Sequence, residues 1–253
     1  MSERKYHVGL AAGEVAPYVL LPGDPFRTAR IAAQLADARE VAFSREYRTF
    51  TGRVGPHALS TVSSGIGGPS VAIAVEELSE LGVHTILRVG TCGALQPEVA
   101  LGDLVIATGA VRSEGTPDAY VPREFPAIAD RAVLESCIEA ATAAGARHHV
   151  GIVRSVDALY AEIMPGRMPM RESLQQEIQV WKRAGVLGSD MESGTLFVTS
   201  HLRRLRAGTI LLCVDEVEAG EIQHLDPGFL ARLIEVAIEA VRRLAERDRA
   251  AAR

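Results

Sequence analysis

Six short, β-branched, apolar segments recur along the chain, with amphipathic segments of helical period between several of them, and that alternation leaves few folds open. YVLLPG (18–23), ALSTVSS (58–64), TILRVGT (85–91), DLVIATGAV (103–111), HVGIVRSV (149–156) and GTILLCVDE (208–216) read as strands of a sheet covered on both faces. PSVAIAVEELSELG (69–82), RAVLESCIEAATAAG (131–145), MRESLQQEIQVWKRAG (170–185) and ESGTLFVTSHLRRLR (192–206) carry apolar residues at three-and-four spacing, and the first three end on glycine, a common helix stop. A last amphipathic helix is expected from about Pro227 to Arg247, followed by a fraying Ala/Arg tail. The pattern is α/β. At 253 residues, 47% of them hydrophobic, the chain is long enough to bury a full core in one large domain spanning 1–253.

Charge narrows the partners. A formal net charge of -5 argues against general attraction to nucleic acid or to an anionic membrane, so any arginine that binds an anion must do so locally. No apolar run is long enough to span a bilayer, and MSERKYHVGL lacks the apolar core of a signal peptide. Cys92, Cys137 and Cys213 are scattered and lack metal-ligand spacing, as expected of reduced thiols in the cytoplasm.

Four stretches suggest chemistry. PGDPFR (22–27), SREYR (44–48) and RVGTCG (88–93) each set an arginine beside groups suited to an anion, two of them with glycine close by, where main-chain N–H groups can approach an oxyanion. SDMES (189–193) places Asp190 and Glu192 around Met191. Together they ask for a substrate with a phosphate and a hydroxylated sugar. Arg88 follows an apolar run and should emerge from a buried strand end into a glycine turn, where an unpaired charge would be costly. Cys92 in that turn reads either as a nucleophile or as a small packed residue, and no histidine in the segment would activate it. SSGIGGPS (63–70) follows a strand and opens a helix, yet matches neither the dinucleotide fingerprint nor the Walker pattern. RSEGTPDAYVPREFP (112–126) reads as a long surface excursion of the kind that lines a site or an interface.

In this order and at these separations, PGDPFR, SSGIGGPSVAIAVEEL, LRVGTCGALQPEVALGD, REFPAIAD and SDMESGTLF resemble the nucleoside phosphorylase family, most closely its uridine phosphorylase branch, from about His7 to Gly208. The resemblance implies a single α/β domain around a twisted, partly barrel-like mixed sheet, assembled as a hexamer of three dimers. It also implies phosphorolysis in nucleoside salvage, in which nucleoside and inorganic phosphate give free base and ribose 1-phosphate with no cofactor required. By similarity, Gly23, Arg27, Arg88 and Thr91 hold phosphate, and Arg45 reaches in from a neighbouring subunit. Thr91, Met191 and Glu192 hold the ribose, with His7 supplied by the partner. Glu46, Ile66 and Ser70 fall where some relatives bind a monovalent cation, potassium, at the dimer interface. Glu192 also begins a helix, whose dipole favours an ionised carboxylate.

The base pocket departs from the family pattern. Uridine enzymes of the enterobacterial type carry a Gln-x-Arg pair where this chain reads YAEIMPGRMPMRES (160–173). Cys92, Gly93 and Arg167 are the expected base contacts, with Gln175 or Gln176 as a further donor. After GTILLCV the uridine enzymes have Asn-Arg and purine enzymes an aspartate; here stand Asp215, Glu216 and Val217, so Asp215 is expected to act as a general acid toward a purine ring nitrogen if its pKa is raised. Uridine is the first expectation and a purine nucleoside the second. A nucleosidase that uses water would have little use for three arginines, and a non-catalytic binder little use for Glu192 and Arg88 together.

Overall fold

A computed structural model describes residues 4–217 and 227–252. In chain order it holds β1 (Tyr18–Leu21), α1 (Pro25–Ala32), β2 (Ala36–Ser44), β3 (Tyr47–Val54), β4 (His57–Val62), α2 (Gly68–Ser79), β5 (Thr85–Ala94), β6 (Leu104–Ser113), β7 (Ala127–Ile128), α3 (Arg131–Ala143), β8 (His148–Val156), α4 (Leu159–Ile163), α5 (Arg171–Arg183), β9 (Gly188–Asp190), α6 (Ser193–Leu202), β10 (Arg206–Glu216) and α7 (Pro227–Ala251). The six apolar segments all form strands and the five amphipathic segments all form helices.

All the strands join one mixed sheet that closes on itself in part. The order runs β10-β6-β8-β9-β5, and β5 pairs back onto β10, giving a closed five-stranded barrel from which β1, β4, β3 and β2 extend as an arm. β1, β5 and β10 run parallel, whereas β6, β8 and β9 run against them. Two apolar layers sandwich this sheet. On one side Leu87, Val89, Ile106 and Leu212 meet Val133 and Cys137 of α3 and Leu233, Ala237 and Val241 of α7. On the other, Ile86, Val105 and Leu211 meet Val71 and Val75 of α2 and Leu196 and Phe197 of α6.

Two local expectations are corrected, and two further segments take shape. RVGTCG is not a turn: β5 continues to Ala94, because β10 pairs with it as far as Cys213↔Cys92, Asp215↔Gly93 and Glu216↔Ala94, with a bulge between Cys213 and Asp215. The C-terminal helix does not fray after Arg247, since Arg206 bonds Asp248 at 2.6 Å and ties the last turns to the sheet. PFRTARIA, unassigned above, becomes α1, with Pro25 in its first turn and the Asp24 carboxylate accepting the Phe26 N–H at 2.8 Å. The excursion at 112–126 folds onto buried Arg112, whose guanidinium donates to the carbonyls of Pro122, Arg123 and Phe125 at 2.7–3.1 Å, and it lines none of the main cavity.

Candidate active site

A cavity of about 630 Å³ opens where the end of β1 and the last halves of β5 and β10 face the ends of β8 and β9. Gly23, Arg27, Arg88, Thr91, Cys92, Gly93, Met191, Glu192 and Asp215 all line it, although the sequence spreads them over nearly two hundred positions.

At one end stand two buried guanidiniums. Arg27 projects from the first turn of α1 and donates through Nη1 to the Val89 carbonyl at 2.9 Å, while its Nε has no hydrogen-bond partner. Arg88, only 3% exposed, donates through Nε to Asp190 Oδ2 at 3.1 Å and through Nη2 to Glu192 Oε2, leaving Nη1 unpartnered. Burial, then the neighbouring Arg88, lower Arg27 to about 10, so it stays cationic at neutral pH. For Arg88 burial pulls the same way, but Glu192 and Asp190 outweigh it and raise the guanidinium. Gly90 is needed here for space: a Cβ on it would stand 2.8 Å from Arg88 Cζ. The loop of Gly23 lies against that of Gly65, whose N–H bonds the Gly23 carbonyl at 3.0 Å, and a Cβ on Gly23 would meet the Gly65 carbonyl oxygen at 2.9 Å. Two unfilled N–H donors on adjacent cations, with Thr91 and the start of a helix in the same cavity, have the chemistry to receive an anion.

Glu192 stands next to it, 4% exposed. It occupies the N-cap position of α6 without capping that helix; Asp190 takes the Ser193 N–H at 3.1 Å in its place. Glu192 Oε1 accepts the Gly67 N–H at 2.8 Å, from a glycine held at φ +93, where a side chain would be strained. Burial pushes the Glu192 carboxyl up against the pull of Arg88, and Asp190 adds to the rise. Asp190 accepts from Ser155 Oγ and from Ser193 Oγ, each at 2.6 Å. Asp190 is thus the buried brace of Arg88, a role that SDMES did not reveal.

The far end is more apolar. Cys92 is buried there, and burial with Cys213 and Asp190 drives its thiol far from ionisation, so it packs as a neutral side chain and not as a nucleophile. Asp215 lies against Gly93, where a Cβ would meet its Oδ1 at 2.7 Å, and burial raises its carboxyl to about 6. Leu159, Glu162 and Ile163, one face of α4, close this end together with Val156 and Ser189. Sequence reasoning missed Glu162; its place at three-and-four spacing between two apolar residues was the available signal.

Residues 17–251 match the family model described as phosphorylase superfamily. The chain belongs to the phosphorylase superfamily. It is 42% identical over 246 residues to a uridine phosphorylase of Treponema pallidum, covering 96% of this chain and 95% of that one. A guanosine phosphorylase of Halorubrum lacusprofundi is 39% identical, with 87% of each chain covered. The crystal structure of a uridine phosphorylase from Vibrio fischeri superposes with a TM-score of 0.84 at 33% identity, covering 96% of this chain and 98% of that one.

In this phosphorylase-superfamily chain the remaining expected residues divide: Glu46 and Ile66 line the cavity and the others do not. Arg167 is exposed on a short turn after α4 and donates to the Met164 sulfur at 3.1 Å, because α4 presents Glu162 inward and carries the chain back out to solvent. Gln175 and Gln176 face outward on α5. Glu46 and Ile66 line the cavity, and Ser70 Oγ lies 3.4 Å from Glu46 Oε1 while donating to the Ser64 carbonyl. Arg45 and His7 do not line their own cavity but share one surface cluster. Arg45, at φ +55 in the β2–β3 turn, lies 5.6 Å from the ring centre of Tyr6, which packs edge-on to His7 at 4.9 Å. His7 Nδ1 bonds Glu77 Oε1 at 2.7 Å.

Proposed function

We propose that this chain is a nucleoside phosphorylase that cleaves uridine with inorganic phosphate to uracil and ribose 1-phosphate. The observation that carries the reading is the pair of buried cations, Arg27 and Arg88, each with an unpartnered N–H, in the same cavity as Glu192. The similarity to uridine phosphorylases points the same way.

The residues divide the work. Arg27, Arg88, Gly23 and Thr91 hold phosphate under the sugar. Glu192 accepts hydrogen bonds from ribose hydroxyls, and Met191 packs against the sugar face. A phosphate oxygen forms the new bond to C1′ as the C–N bond breaks, and the electron pair leaves with the base. Positive charge develops on the sugar between the phosphate and Glu192, so catalysis is electrostatic placement of anions around that carbon. Only nucleoside and phosphate are needed.

Arg45 and His7 act in trans, completing the cavity of a neighbour across a dimer, and three such dimers make a hexamer. The support is that both belong to one cluster at the surface, outside their own cavity, with Arg45 exposed and His7 half-buried. Glu46 and Ser70, with Ile66 beside them, offer a carboxylate and a hydroxyl that suit a monovalent cation at that interface. The whole chain works as one domain in cytoplasmic nucleoside salvage; among the described residues no helix is long and apolar enough to cross a membrane.

Asp215 favours a second reading. A carboxyl near 6 at the base end can donate a proton to a departing purine, and a guanosine phosphorylase is among the relatives. Incubation with uridine, thymidine, inosine and adenosine, with and without phosphate, separates the readings by which base is released. Uracil release that needs phosphate supports the first; purine release alone supports the second; release without phosphate refutes both.

A further inference from the structure

Glu162 is held at the apolar end of the cavity by a chain of buried contacts, yet no step above uses it. Its Oε1 accepts from Arg154 Nη1 at 2.7 Å, and Arg154 is itself only 4% exposed. Arg154 is clamped in turn by Ser113 Oγ at 3.0 Å, by Glu177 Oε1 at 2.7 Å, and under the Trp181 ring at 5.9 Å. The other oxygen, Oε2, is buried in the cavity wall with no hydrogen-bond partner. The Ser189 hydroxyl stands beside it, within hydrogen-bonding reach and favouring the charged form, although no hydrogen bond of good geometry joins the two. A carboxylate oxygen and a hydroxyl joined only by a poorly formed contact, in an otherwise apolar wall of Val156, Leu159 and Ile163, are polar groups that a ligand edge can engage by coming between them.

We propose that Glu162 reads the nucleobase through Oε2, accepting the ring N–H of a lactam edge, with Ser189 donating to the adjacent carbonyl. The pocket therefore selects uracil, thymine, hypoxanthine and guanine, which carry that N–H. It rejects cytosine and adenine, whose ring nitrogen at the same place presents a lone pair. A lone pair against a carboxylate is repulsive and leaves both groups desolvated without a hydrogen bond. Burial raises the Glu162 carboxyl and the Arg154 cation opposes this; the guanidinium donating to Oε1 at 2.7 Å favours the carboxylate, the accepting form. Asp215 differs from Glu162 in that burial alone shifts it, to about 6, with no guanidinium to fix which oxygen is free. Arg154 is a positioning residue: it fixes which oxygen of Glu162 remains free.

The inference rests on the phosphorolysis reading, and one panel tests the two separately. Uridine, cytidine, inosine and adenosine are assayed with phosphate, using the full chain and Glu162→Gln, while calorimetry compares uracil with cytosine. The wild type should favour the lactam nucleosides by about 100-fold or more in kcat/KM. In Glu162→Gln, whose amide can both accept and donate, the uridine-to-cytidine ratio should fall by at least about tenfold, mostly through KM. An unchanged ratio in the variant, with uridine still cleaved, overturns the base-reading role and leaves phosphorolysis standing. If no nucleoside is cleaved, the reaction is wrong, and equal binding of uracil and cytosine then refutes the base-reading role on its own. Should Glu162→Gln fail to fold, Glu162→Asp, which withdraws the carboxylate, must raise the uridine KM; an unchanged KM overturns the proposal.

Discussion

Arg88 and Glu192 form an ion pair shut inside the cavity, with Arg88 Nη2 donating to Glu192 Oε2 and Asp190 bracing the other side of the guanidinium at 3.1 Å. On the proposed reading one cation thus serves both the phosphate and the sugar. Arg88 still keeps Nη1 free, so it can serve phosphate without releasing Glu192.

Removing Arg88 should therefore harm both stability and activity. Arg88→Ala strands two buried carboxylates, which costs about 3–5 kcal/mol of folding stability. Arg88→Lys keeps a charge but loses the fork, so it should fold better while the KM for phosphate rises by about tenfold or more. Denaturant unfolding and phosphate titrations of the two variants check this; equal phosphate KM in Arg88→Lys and wild type would remove Arg88 from the anion site.

Glu192→Gln keeps the shape and the Gly67 contact but removes the anion facing the sugar. The expected result is a fall in kcat of about 100-fold with a smaller change in KM for phosphate, measured by steady-state kinetics. A wild-type kcat would place the sugar elsewhere.

Most of this architecture is legible in the sequence because it is local. An apolar β-branched run or a glycine stop acts over a few residues, and each of the six strand segments and five helix segments forms. The β2–β3 hairpin was not legible: ADAREVAFS is largely exposed, so it carries no apolar alternation, and its order comes from pairing with β3. At the site, the arginines stood out by composition, but the bracing by Asp190 depends on a contact 102 positions from Arg88. Glu162 was hidden for another reason: Arg154 is only eight positions away, on β8, but that the two side chains meet at the cavity wall, with one oxygen left over, depends on how α4 folds back. Arg167 drew attention as the nearest arginine, and only the path of α4 shows it turned outward.

Asp215 predicts a pH dependence that separates purine from pyrimidine substrates. Its carboxyl is raised to about 6, so it is protonated below that pH and loses the proton above it. If it acts as the acid for purines, kcat/KM for inosine should decline as pH rises through about 6, and Asp215→Asn should remove that limb while sparing uridine cleavage. A pH profile for inosine that Asp215→Asn leaves unchanged would exclude the role.

Glu114 predicts a pH dependence of stability. It is buried between the starts of α2 and α6, with Oε2 accepting from Thr195 Oγ1 at 2.7 Å and Oε1 unpartnered. Burial raises it from 4.5 to about 8, so between those values the folded chain holds a proton that the unfolded chain has lost. Its contribution is complete below about pH 4.5 and is lost as pH rises through about 8, each retained pKa unit being worth about 1.4 kcal/mol. Glu114→Gln cannot ionise and should flatten that decline; thermal unfolding from about pH 5 to 8 measures it, and parallel curves for the two proteins would refute it.

Donation of Arg45 across an interface has its own test. Arg45→Ala and Arg88→Ala should each be nearly inactive, yet mixing and reassembling them should restore sites that draw a wild-type Arg88 from one chain and a wild-type Arg45 from the other. No recovery on mixing, with heteromers present by native mass spectrometry, would place Arg45 outside the site.

The central claim, that Arg27 and Arg88 deliver inorganic phosphate to the anomeric carbon, is tested most directly by following uridine and its sugar product by phosphorus NMR in buffer with and without phosphate. Ribose 1-phosphate should appear one for one with uracil, and only when phosphate is present. Uracil released at the same rate without phosphate, with free ribose as the product, would contradict it.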